Sequence, residues 1–581
     1  MKTSHSTLFK RLFYFMGSSG KLVAYAAVCA LISVAASLLG PLLIGFAVDD
    51  MAVAGQVDFN AIARIIAGLA VIYGIGSLFT WLLTYLTNRI AFKMVRDIRQ
   101  QLFEKMNTLP LKYFDGNPHG DIISRFINDM DAVSEGVLQG LSTLLTSVFT
   151  LVGSILLMLT ISGWMTAVVL LSTPLAFFVA RFITTRSQML FKEQARLVGQ
   201  LNGYAEEIIN GQKVVKAFGY EGRSFEKFSA LNEELKGVGV KSQYYSSLTN
   251  PATRLVNNTT YTVVGVIGSI TAIMGGISVG GISSFLIYSN LFAKPFNEIT
   301  GVLSQLQAAL ASSQRIFAVL DQEPEISDAK NALNLEETTG KVNFDKVRFS
   351  YQPERPLIKN FNLAVKPGSR IAVVGRTGAG KTTLVNLLMR FYEVDGGTIS
   401  IDGTDITHIT RDSLRKNIGM VLQDTWLFSG TVRENITYGK PDAKEEAIIA
   451  AAKAADAHSF IRRLPEGYDT VISDGGDNLS QGQKQLLTIA RVMLADPPML
   501  ILDEATSSID TLTEIRIQKA FLKMMEGRTS FVIAHRLSTI READLILVME
   551  NGDVAESGNH EELLMKKGLY ASLYNSQFTQ G

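Results

Sequence analysis

A glycine-rich run after residue 374 has the composition of a phosphate-binding loop. Glycines let consecutive backbone N–H groups turn towards phosphate oxygens, and a lysine directly after them reaches the β- and γ-phosphates. The apolar segment 371–374 precedes the run and a helix-like segment follows it. This strand–loop–helix order predicts nucleotide binding, with the hydroxyl of Thr382 placed to ligate Mg²⁺. The predicted phosphate-binding residues are Gly375, Arg376, Thr377, Gly378, Ala379, Gly380, Lys381, Thr382 and Thr383.

Two acidic residues end the apolar run 499–504. An α/β sheet places its site at the carboxyl ends of its buried strands. Asp503 is therefore predicted to hold Mg²⁺ through water, and Glu504 to polarise the water that attacks the phosphate. An acidic strand end alone is as often a solvated turn, but its pairing with the upstream glycine-rich loop favours the catalytic interpretation.

The first half of the chain is organised by stretches that lack Asp, Glu, Lys and Arg. A bilayer core needs about 20 apolar residues per helix, and each charge at its centre costs about 2.5–3.5 kcal/mol. Two of these stretches fit one span each, and two are long enough for a pair of spans with a turn, near residues 161–164 and 275–281. We therefore predict six spans. The four stretches are residues 22–48, 65–88, 136–180 and 255–293.

The charge of the connecting segments predicts orientation. The segments between spans two and three and between spans four and five are rich in Lys and Arg, whereas residues 49–60 contain acids but neither Lys nor Arg. Basic loops stay in the cytoplasm, so both termini are expected inside. Each basic loop is about 45 residues or longer, which favours helical extensions over structureless loops. Aromatic turns at Phe114 and Phe218 end these extensions; each is either a docking element for another domain or an ordinary local contact.

Composition supports a membrane-bound first half and a globular second half. Of 581 residues only 19% are charged, against about 25% in ordinary globular chains. The near balance of 55 Lys and Arg against 54 Asp and Glu indicates no nucleic-acid partner. The lone Cys29 is interpreted as a small buried apolar residue. We expect a transmembrane domain at 1–320, a polar linker at 321–340 and an α/β domain at 341–581.

One further run makes the pattern specific. Residues Leu479, Ser480, Gln481, Gly482 and Gln483 lie between the glycine-rich loop and Asp503, and they resemble the signature motif of ABC transporter ATPases. Other residues are similar to the remaining elements of that family in the expected order. Those elements are the adenine-stacking aromatic (Tyr351), the Mg²⁺-sensing glutamine (Gln423), a membrane-facing loop (Asp474, Gly475, Gly476), the D-loop (Ser507, Ser508, Ile509, Asp510) and the switch histidine (His535).

The resemblance covers essentially the whole chain and implies the architecture of an ABC exporter: an α-helical six-span membrane domain followed by an α/β P-loop ATPase domain. It implies ATP and Mg²⁺ as ligands, with Glu504, His535 and Gln423 in hydrolysis. Coupling helices are then expected near 112–120 and 215–222. The family layout is that of bacterial lipid and multidrug exporters, which implies a multi-pass protein of the bacterial inner membrane.

In this family each ATP lies between the P-loop of one subunit and the signature of the other. One chain supplies one of each, so the resemblance implies half of a dimer. The family signature usually carries glycine where this chain has Gln481, at a point where backbone approaches phosphate. This departure favours a heterodimer with a second half transporter, with Gln481 in a degenerate site. A tolerated variant in a homodimer is the alternative.

The membrane spans contain neutral polar side chains but no Asp, Glu, Lys or Arg. We therefore expect an apolar or amphipathic substrate, such as a drug, lipid or peptide, among membrane lipids. The same side chains could instead only bond neighbouring helices. A regulatory or importer-type ABC subunit, or an ATP-gated channel, are the other functions considered. The polar residues near mid-membrane are Asn257, Asn258, Thr259, Tyr261, Tyr288 and Asn290.

Overall fold

The structure is a computed structural model that describes residues 5–17, 20–52, 57–423, 425–476, 478–503, 509–534 and 537–578. The chain divides into two compact units. The first contains residues up to 107 and residues 119–322, and the second contains residues 108–118 and 323 onwards. The short segment 108–118 therefore belongs with the C-terminal unit, although it lies between two helices of the first.

The first unit is helical. Seven of its described helices have 25 residues or more, and six of these contain the charge-free stretches 22–48, 65–88, 136–180 and 255–293, which confirms the predicted six-helix membrane domain. A π-helical turn, Arg125–Asp129, precedes the helix that begins at Met130. The helices up to residue 320 are α1 (His5–Gly17), α2 (Gly20–Ala52), α3 (Phe59–Met106), α4 (Leu111–Asp115, in the second unit), α5 (His119–Ser124), α6 (Met130–Ile161), α7 (Gly163–Asn210), α8 (Gln212–Ala217), α9 (Glu221–Ser247), α10 (Thr249–Ile273) and α11 (Val279–Leu320).

Hydropathy marks where these helices can cross a membrane. Among the described residues, Gly20–Ala52, Phe59–Met106 and His119–Ile161 are long and apolar enough to span a bilayer, and a shorter apolar stretch, Gly163–Leu175, opens α7. Polar residues separate the paired spans at the predicted turns. Ser162 accepts a hydrogen bond from the N–H of Met165 at the start of α7, and Ser278 accepts one from Gly281 at the start of α11. Both serines act as N-caps.

The α2–α11 contact is built around Pro41. A helix carbonyl oxygen has a second lone pair and can accept a hydrogen bond from another helix. The hydroxyl of Tyr288 donates to Leu38 O at 2.7 Å, and Ser284 Oγ donates to Pro41 O at 2.7 Å. Tyr288 is fully buried. Of the two roles that the sequence leaves open for Tyr288, contact with substrate or a bond to a neighbouring helix, the structure shows the second.

The same two helices also meet at a pair of glycines, Gly45 and Gly280. A Cβ on Gly280 would lie 1.9 Å from the carbonyl oxygen of Gly45. Asp49 strengthens this crossing, since its carboxylate accepts from the N–H of Gly280 and from Ser278 Oγ, both at 2.7 Å. The crossing therefore requires glycine on both helices.

The second unit contains the mixed α/β elements that the sequence predicts. Its strands are β1 (Val342–Phe349), β2 (Ile358–Val365), β3 (Arg370–Gly375), β4 (Gly396–Ile401), β5 (Thr404–Asp405), β6 (Ile418–Val421), β7 (Gly430–Thr431), β8 (Val471–Ile472), β9 (Met499–Asp503), β10 (Thr529–Ile533), β11 (Leu545–Glu550) and β12 (Asp553–Gly558). Its later helices are α12 (Lys381–Leu388), α13 (Arg411–Lys416), α14 (Val432–Thr437), α15 (Glu445–Ala454), α16 (His458–Ile461), α17 (Gln481–Ala495), α18 (Thr511–Met525), α19 (Leu537–Arg541), α20 (His560–Met565) and α21 (Leu569–Phe578).

The central sheet has the strand order β12-β11-β3-β10-β9-β6. All neighbours pair in parallel except β12, which is antiparallel to β11. Strand β3 shows how two cores share this sheet: Ile371 and Val373 pack into one, and Ala372 and Val374 into the other. A parallel sheet covered on both faces needs such continuous apolar strands. A second sheet, β2-β1-β4-β5, is antiparallel and covers one face.

Candidate nucleotide-binding site

The glycine-rich loop connects the end of β3 to the start of α12. Its glycines have conformations that other residues rarely adopt: Gly375 has φ 153°, and Gly380, the residue before α12, has φ 99°. A Cβ on Gly375 would also lie 2.4 Å from the carbonyl oxygen of Met549 on the neighbouring β11. The loop can thus present its N–H groups only if these positions remain glycine.

Lys381 is the first residue of α12 and its side chain folds back over the loop. Its Nζ donates to Gly375 O at 2.8 Å and to Arg376 O at 3.2 Å. Burial lowers the pKa of the Lys381 ammonium, while the charge of Asp503 acts in the opposite direction. The ammonium is thus held between the loop and an acidic group, where it can reach a phosphate.

The adjacent threonines differ in their surroundings. Thr382 is exposed at the start of α12, as a hydroxyl that ligates a metal must be. Thr383 is 5% exposed, and its Oγ1 lies 3.2 Å from the hydroxyl oxygen of Tyr351. The amide of Asn386, one turn further along α12, donates to the same tyrosine oxygen at 3.4 Å. Helix α12 therefore positions Tyr351 beside the loop; the sequence analysis did not identify Asn386.

Asp503 reaches the same sheet edge because β9, β10 and β3 are parallel neighbours. In register, Asp503 pairs with Ile533 of β10, and Ile533 pairs with Val373 of β3. All three strands point their carboxyl ends the same way, so Asp503 and the glycine-rich loop share one edge. Glu504, Ser507, Ser508 and His535 lie outside the described residues.

Gln423 lies two residues beyond β6 on the same side of the sheet, and its side chain is exposed. Strand β6 is the edge strand next to β9, with Val421 opposite Leu502. Gln423 is therefore carried by the strand that neighbours the one ending at Asp503.

The run 480–483 forms the start of α17, and the side chains of Ser480 and Gln483 cap this helix. Ser480 Oγ accepts from the N–H of Gln483 at 3.3 Å, and Gln483 Oε1 accepts from the N–H of Ser480 at 2.9 Å. This reciprocal pair is a capping box. Helix N-termini attract anions because their first N–H groups have no partner within the helix. The S-x-x-Q spacing is a sequence signal for this cap that the sequence analysis did not use.

The two central positions of this run differ in burial. Gly482 is buried against α18, whereas Gln481 is exposed and its Nε2 lies 3.2 Å from Thr425 Oγ1. Thr425 follows Gln423 by two residues. No hydrogen bond among the described residues joins residues 375–383 to residues 480–483. The chain thus brings Tyr351, Lys381 and Asp503 together, and the α17 N-terminus is not hydrogen-bonded to this group within the described part of the chain.

Comparison with known proteins decides the family. Residues 23–296 match the ABC transporter transmembrane region, and residues 358–507 match the ABC transporter family. An uncharacterized ABC transporter ATP-binding protein of Bacillus subtilis is 44% identical over 99% of this chain and 95% of its own length. The chain belongs to the ABC transporter family.

Other relatives agree on the architecture of this ABC transporter. A fatty acid ABC transporter ATP-binding/permease protein of Mycobacterium bovis is 46% identical over 89% of this chain and 82% of its own. An ATP-dependent lipid A-core flippase of Syntrophus aciditrophicus is 36% identical over 99% and 95%. A bacterial Atm1-family ABC exporter with ATP bound has a TM-score of 0.77 and 31% identity, covering 96% of this chain and 98% of that one. The transporter therefore has the predicted ABC exporter fold.

Two more residues of the ABC transporter stabilise its loops. Lys484 Nζ donates to Gly475 O at 2.7 Å, which ties the turn Asp474–Gly476 to α17. Asp510 caps α18 by accepting from the N–H of Thr513 at 3.0 Å, and this N–H holds the pKa of Asp510 below its usual value. The resemblance places Asp510 in the D-loop; the structure gives it a local capping role as well.

Proposed function

We propose that this ABC transporter couples ATP hydrolysis to the export of an apolar or amphipathic substrate across the bacterial inner membrane. The observation that supports this most directly is the combination of Lys381 and Asp503 on one sheet edge with six helices that contain the charge-free stretches of the same chain. The proposed domain limits are 1–320 for the membrane domain, 321–340 for the linker and 341–581 for the ATPase domain. Both termini and the ATPase domain are assigned to the cytoplasm, in keeping with the basic residues in the second halves of α3 and α7 and in the segments that follow these helices.

In the proposed ATP site, loop N–H groups from Gly375 to Thr383 surround the phosphates and Tyr351 stacks on adenine. The donors present suit Mg²⁺, which prefers oxygen ligands and keeps several waters. The Thr382 hydroxyl would bind it directly and Asp503 through water, with Gln423 nearby; the ion would supply charge neutralisation at the β- and γ-phosphates. Glu504 orients the attacking water, and His535 contacts the γ-phosphate.

The second half of each site comes from a partner subunit. The capped N-terminus of α17 is formed by Ser480, Gln481, Gly482 and Gln483. Ser480 and Gln481 are exposed there, and no hydrogen bond among the described residues joins this run to the loop of its own chain. A partner's γ-phosphate fits this position. Asp510 and the rest of the D-loop would then lie along the same subunit contact.

Gln481 favours a heterodimer with a second half transporter over a homodimer. Its side chain adds bulk at the exposed helix N-terminus that phosphate must approach. Full ATPase activity and a stable dimer from this chain purified alone would instead establish the homodimer. The bond from Gln481 to Thr425 is the contact through which a homodimer would keep that side chain out of the way.

The proposed substrate class rests on the membrane helices and on the relatives. Asn258, Tyr261 and Asn290 are exposed on their helices, so neutral polar contacts are available beside apolar surface. Thr259 instead donates to Leu255 O of its own helix at 2.8 Å. Relatives named for fatty acid and for lipid A-core transport handle amphipathic molecules. An acyl lipid is therefore the first probe to use.

Export is tested with the full transporter in proteoliposomes and a fluorescent acyl phospholipid as probe. Glu504→Gln is expected to bind ATP but to stop both hydrolysis and probe movement, because the attacking water is no longer polarised. Glu526→Gln, an exposed carboxylate just after α18, is the matched control and should behave as wild type. Probe movement that persists in Glu504→Gln with ATP present would indicate a channel and contradict the proposal. Dependence of transport on an added external solute receptor would indicate an importer.

A further inference from the structure

Residues 108–118 connect α3 to α5 but belong to the second compact unit, which also contains residues 323 onwards and is called the ATPase unit below. Two hydrogen bonds anchor this segment. At its start, Thr108 O accepts from the N–H of Glu325 at 2.7 Å. Near its end, the carboxylate of Asp115 accepts from the hydroxyl of Tyr392, which follows α12. The segment is therefore held by a hydrogen bond near each of its ends.

Tyr392 also belongs to a compact group of three rings. Its centroid lies 5.1 Å from that of Tyr351 at 86°, and 5.7 Å from that of Phe349 at 72°. Phe349 and Tyr351 lie 4.8 Å apart at 85°. Each pair is edge-to-face, the arrangement that aromatic quadrupoles favour. Tyr392 is 9% exposed and Phe349 is 3% exposed, so neither ring can move without disturbing the other.

Tyr351 is the member of this group that is open to a ligand, with 38% of its surface exposed. Thr383 and Asn386 of α12 hold its hydroxyl. Tyr392 supports its ring from another direction. Burial and then the neighbouring Asp115 raise the pKa of Tyr392, so its hydroxyl keeps the proton that it donates.

We infer that Asp115 is a positioning residue for the adenine-stacking ring: it holds Tyr392, and Tyr392 holds the face of Tyr351. The inference rests on the proposed ATP site. Adenine binding and docking of segment 108–118 then strengthen each other, because coupling between two binding events is reciprocal. Binding of the adenine base, in addition to binding of the phosphates, therefore stabilises the position of segment 108–118.

The test compares ATP with ribose 5′-triphosphate, which lacks the base, on the full transporter. Tyr392→Phe removes only the hydroxyl, and Asp115→Ala removes its acceptor. Each should raise KM for ATP about three- to tenfold, the loss of about one hydrogen bond, and leave kcat unchanged. KM for ribose 5′-triphosphate should not change.

The double variant should be no worse than either single variant, and Asp115→Asn, which keeps an acceptor oxygen, should recover most of the affinity. Asp121→Asn, an exposed acid in α5, is the control.

Hydrogen exchange of residues 108–118 gives a readout apart from activity. ATP should slow exchange there in wild type but not in Tyr392→Phe, and ribose 5′-triphosphate should slow it in neither. Equal KM for ATP in Asp115→Ala and wild type would overturn the inference, as would equal shifts for the two triphosphates. Tyr351→Ala separates the two proposals: if it weakens ATP but Asp115→Ala does not, only the positioning role fails. If Tyr351→Ala leaves ATP affinity unchanged, the proposed adenine contact fails first.

Discussion

Gly482 lies against Thr513 so closely that a Cβ at position 482 would come within 2.3 Å of the threonine Cγ2. The neighbouring Gln481 is exposed. Of the two positions that are commonly glycine in the family signature, only position 482 is therefore required to be glycine by packing within this chain. Position 481 accepts a side chain without any change in the α17–α18 contact.

Gly482→Ala should destabilise the ATPase unit by about 1–3 kcal/mol, because overpacking forces α17 away from α18. Thermal unfolding of the full transporter measures this, and its ATPase activity should fall in parallel. Gln481→Ala should stay within about 0.5 kcal/mol of wild type, as exposed substitutions usually do. Adding Thr513→Ala to Gly482→Ala should restore stability. A Gly482→Ala protein as stable as wild type would refute the packing argument.

The pair Asp129–Arg315 predicts a pH effect. Burial of Asp129 raises its pKa. Hydrogen bonds from Arg315 and Ser312 and the charges of nearby arginines lower the pKa by a larger amount, so it lies below its usual value. A depressed carboxyl pKa stabilises the fold above the unfolded value of about 3.9, and this stabilisation is lost as pH falls through the folded pKa. Wild type should therefore keep this contribution at pH 5.

Arg315→Met should change the pKa shift of Asp129 from a lowering to a raising, because the carboxyl stays buried but loses its main partner. Asp129 has 6% of its side chain exposed, whereas Arg315 has 56% exposed. The variant should lose about 2 kcal/mol at pH 7, less than a fully buried pair would. Its carboxyl pKa should rise, so its melting temperature should approach that of wild type between pH 7 and 5. Asp129→Asn should lose less, since Arg315 can be hydrated. A gap between wild type and Arg315→Met that is constant with pH would contradict this account.

The crossing of α2 and α11 predicts an intolerant glycine in the membrane domain. Gly280→Ala should lower the melting temperature of the detergent-solubilised transporter by several degrees, because its Cβ would collide with Gly45 O, a backbone atom that cannot rotate away. Gly265→Ala on α10 is the matched control, since nothing lies within 4 Å of its Cβ. Equal melting temperatures for the two variants would show that the helices separate freely at this crossing.

The segment after α11 is held to the ATPase unit by Arg411, whose side chain is 9% exposed. Its guanidinium reaches Asp328 at 2.7 Å, Glu325 at 3.1 Å and also Glu393. Lysine carries the same charge, but its single ammonium cannot bond three carboxylates in the directions that the planar guanidinium serves. Arg411→Lys should therefore increase proteolysis between residues 323 and 335 and destabilise the protein by about 1–3 kcal/mol. Lys416→Arg on the exposed end of α13 should change neither, and an unchanged cleavage rate in Arg411→Lys would refute the anchoring role.

Much of this protein could be predicted from short-range pattern. Spans follow from runs without charge, since an ion in hydrocarbon is costly wherever it lies in the fold. The phosphate loop follows from Gly375, Gly380 and Lys381, because one strand, one turn and one helix N-terminus make it. Residues 161–164 and 275–281 were predicted as turns for the same local reason, and the structure confirms both.

Contacts between distant parts of the chain could not be read in this way. The sequence left open whether Tyr288 contacts substrate or bonds a neighbouring helix; the structure buries it and joins its hydroxyl to Leu38 O of α2, 250 residues away along the chain. Asp115 lies in the stretch 112–120 that the resemblance implies is a coupling helix, yet it bonds Tyr392 at a separation of 277 residues. Nothing local to either residue encodes such a partner.

By itself, then, the sequence determined the family, the six helices, the α/β unit and the chemistry of the phosphate loop, because each depends on residues close together in the chain. Tertiary structure decided that Gly482 rather than position 481 must be glycine and that segment 108–118 joins the ATPase unit. It also decided that Tyr351 is supported by Tyr392. Those outcomes depend on the distances between side chains brought together by folding, and a linear pattern does not contain them.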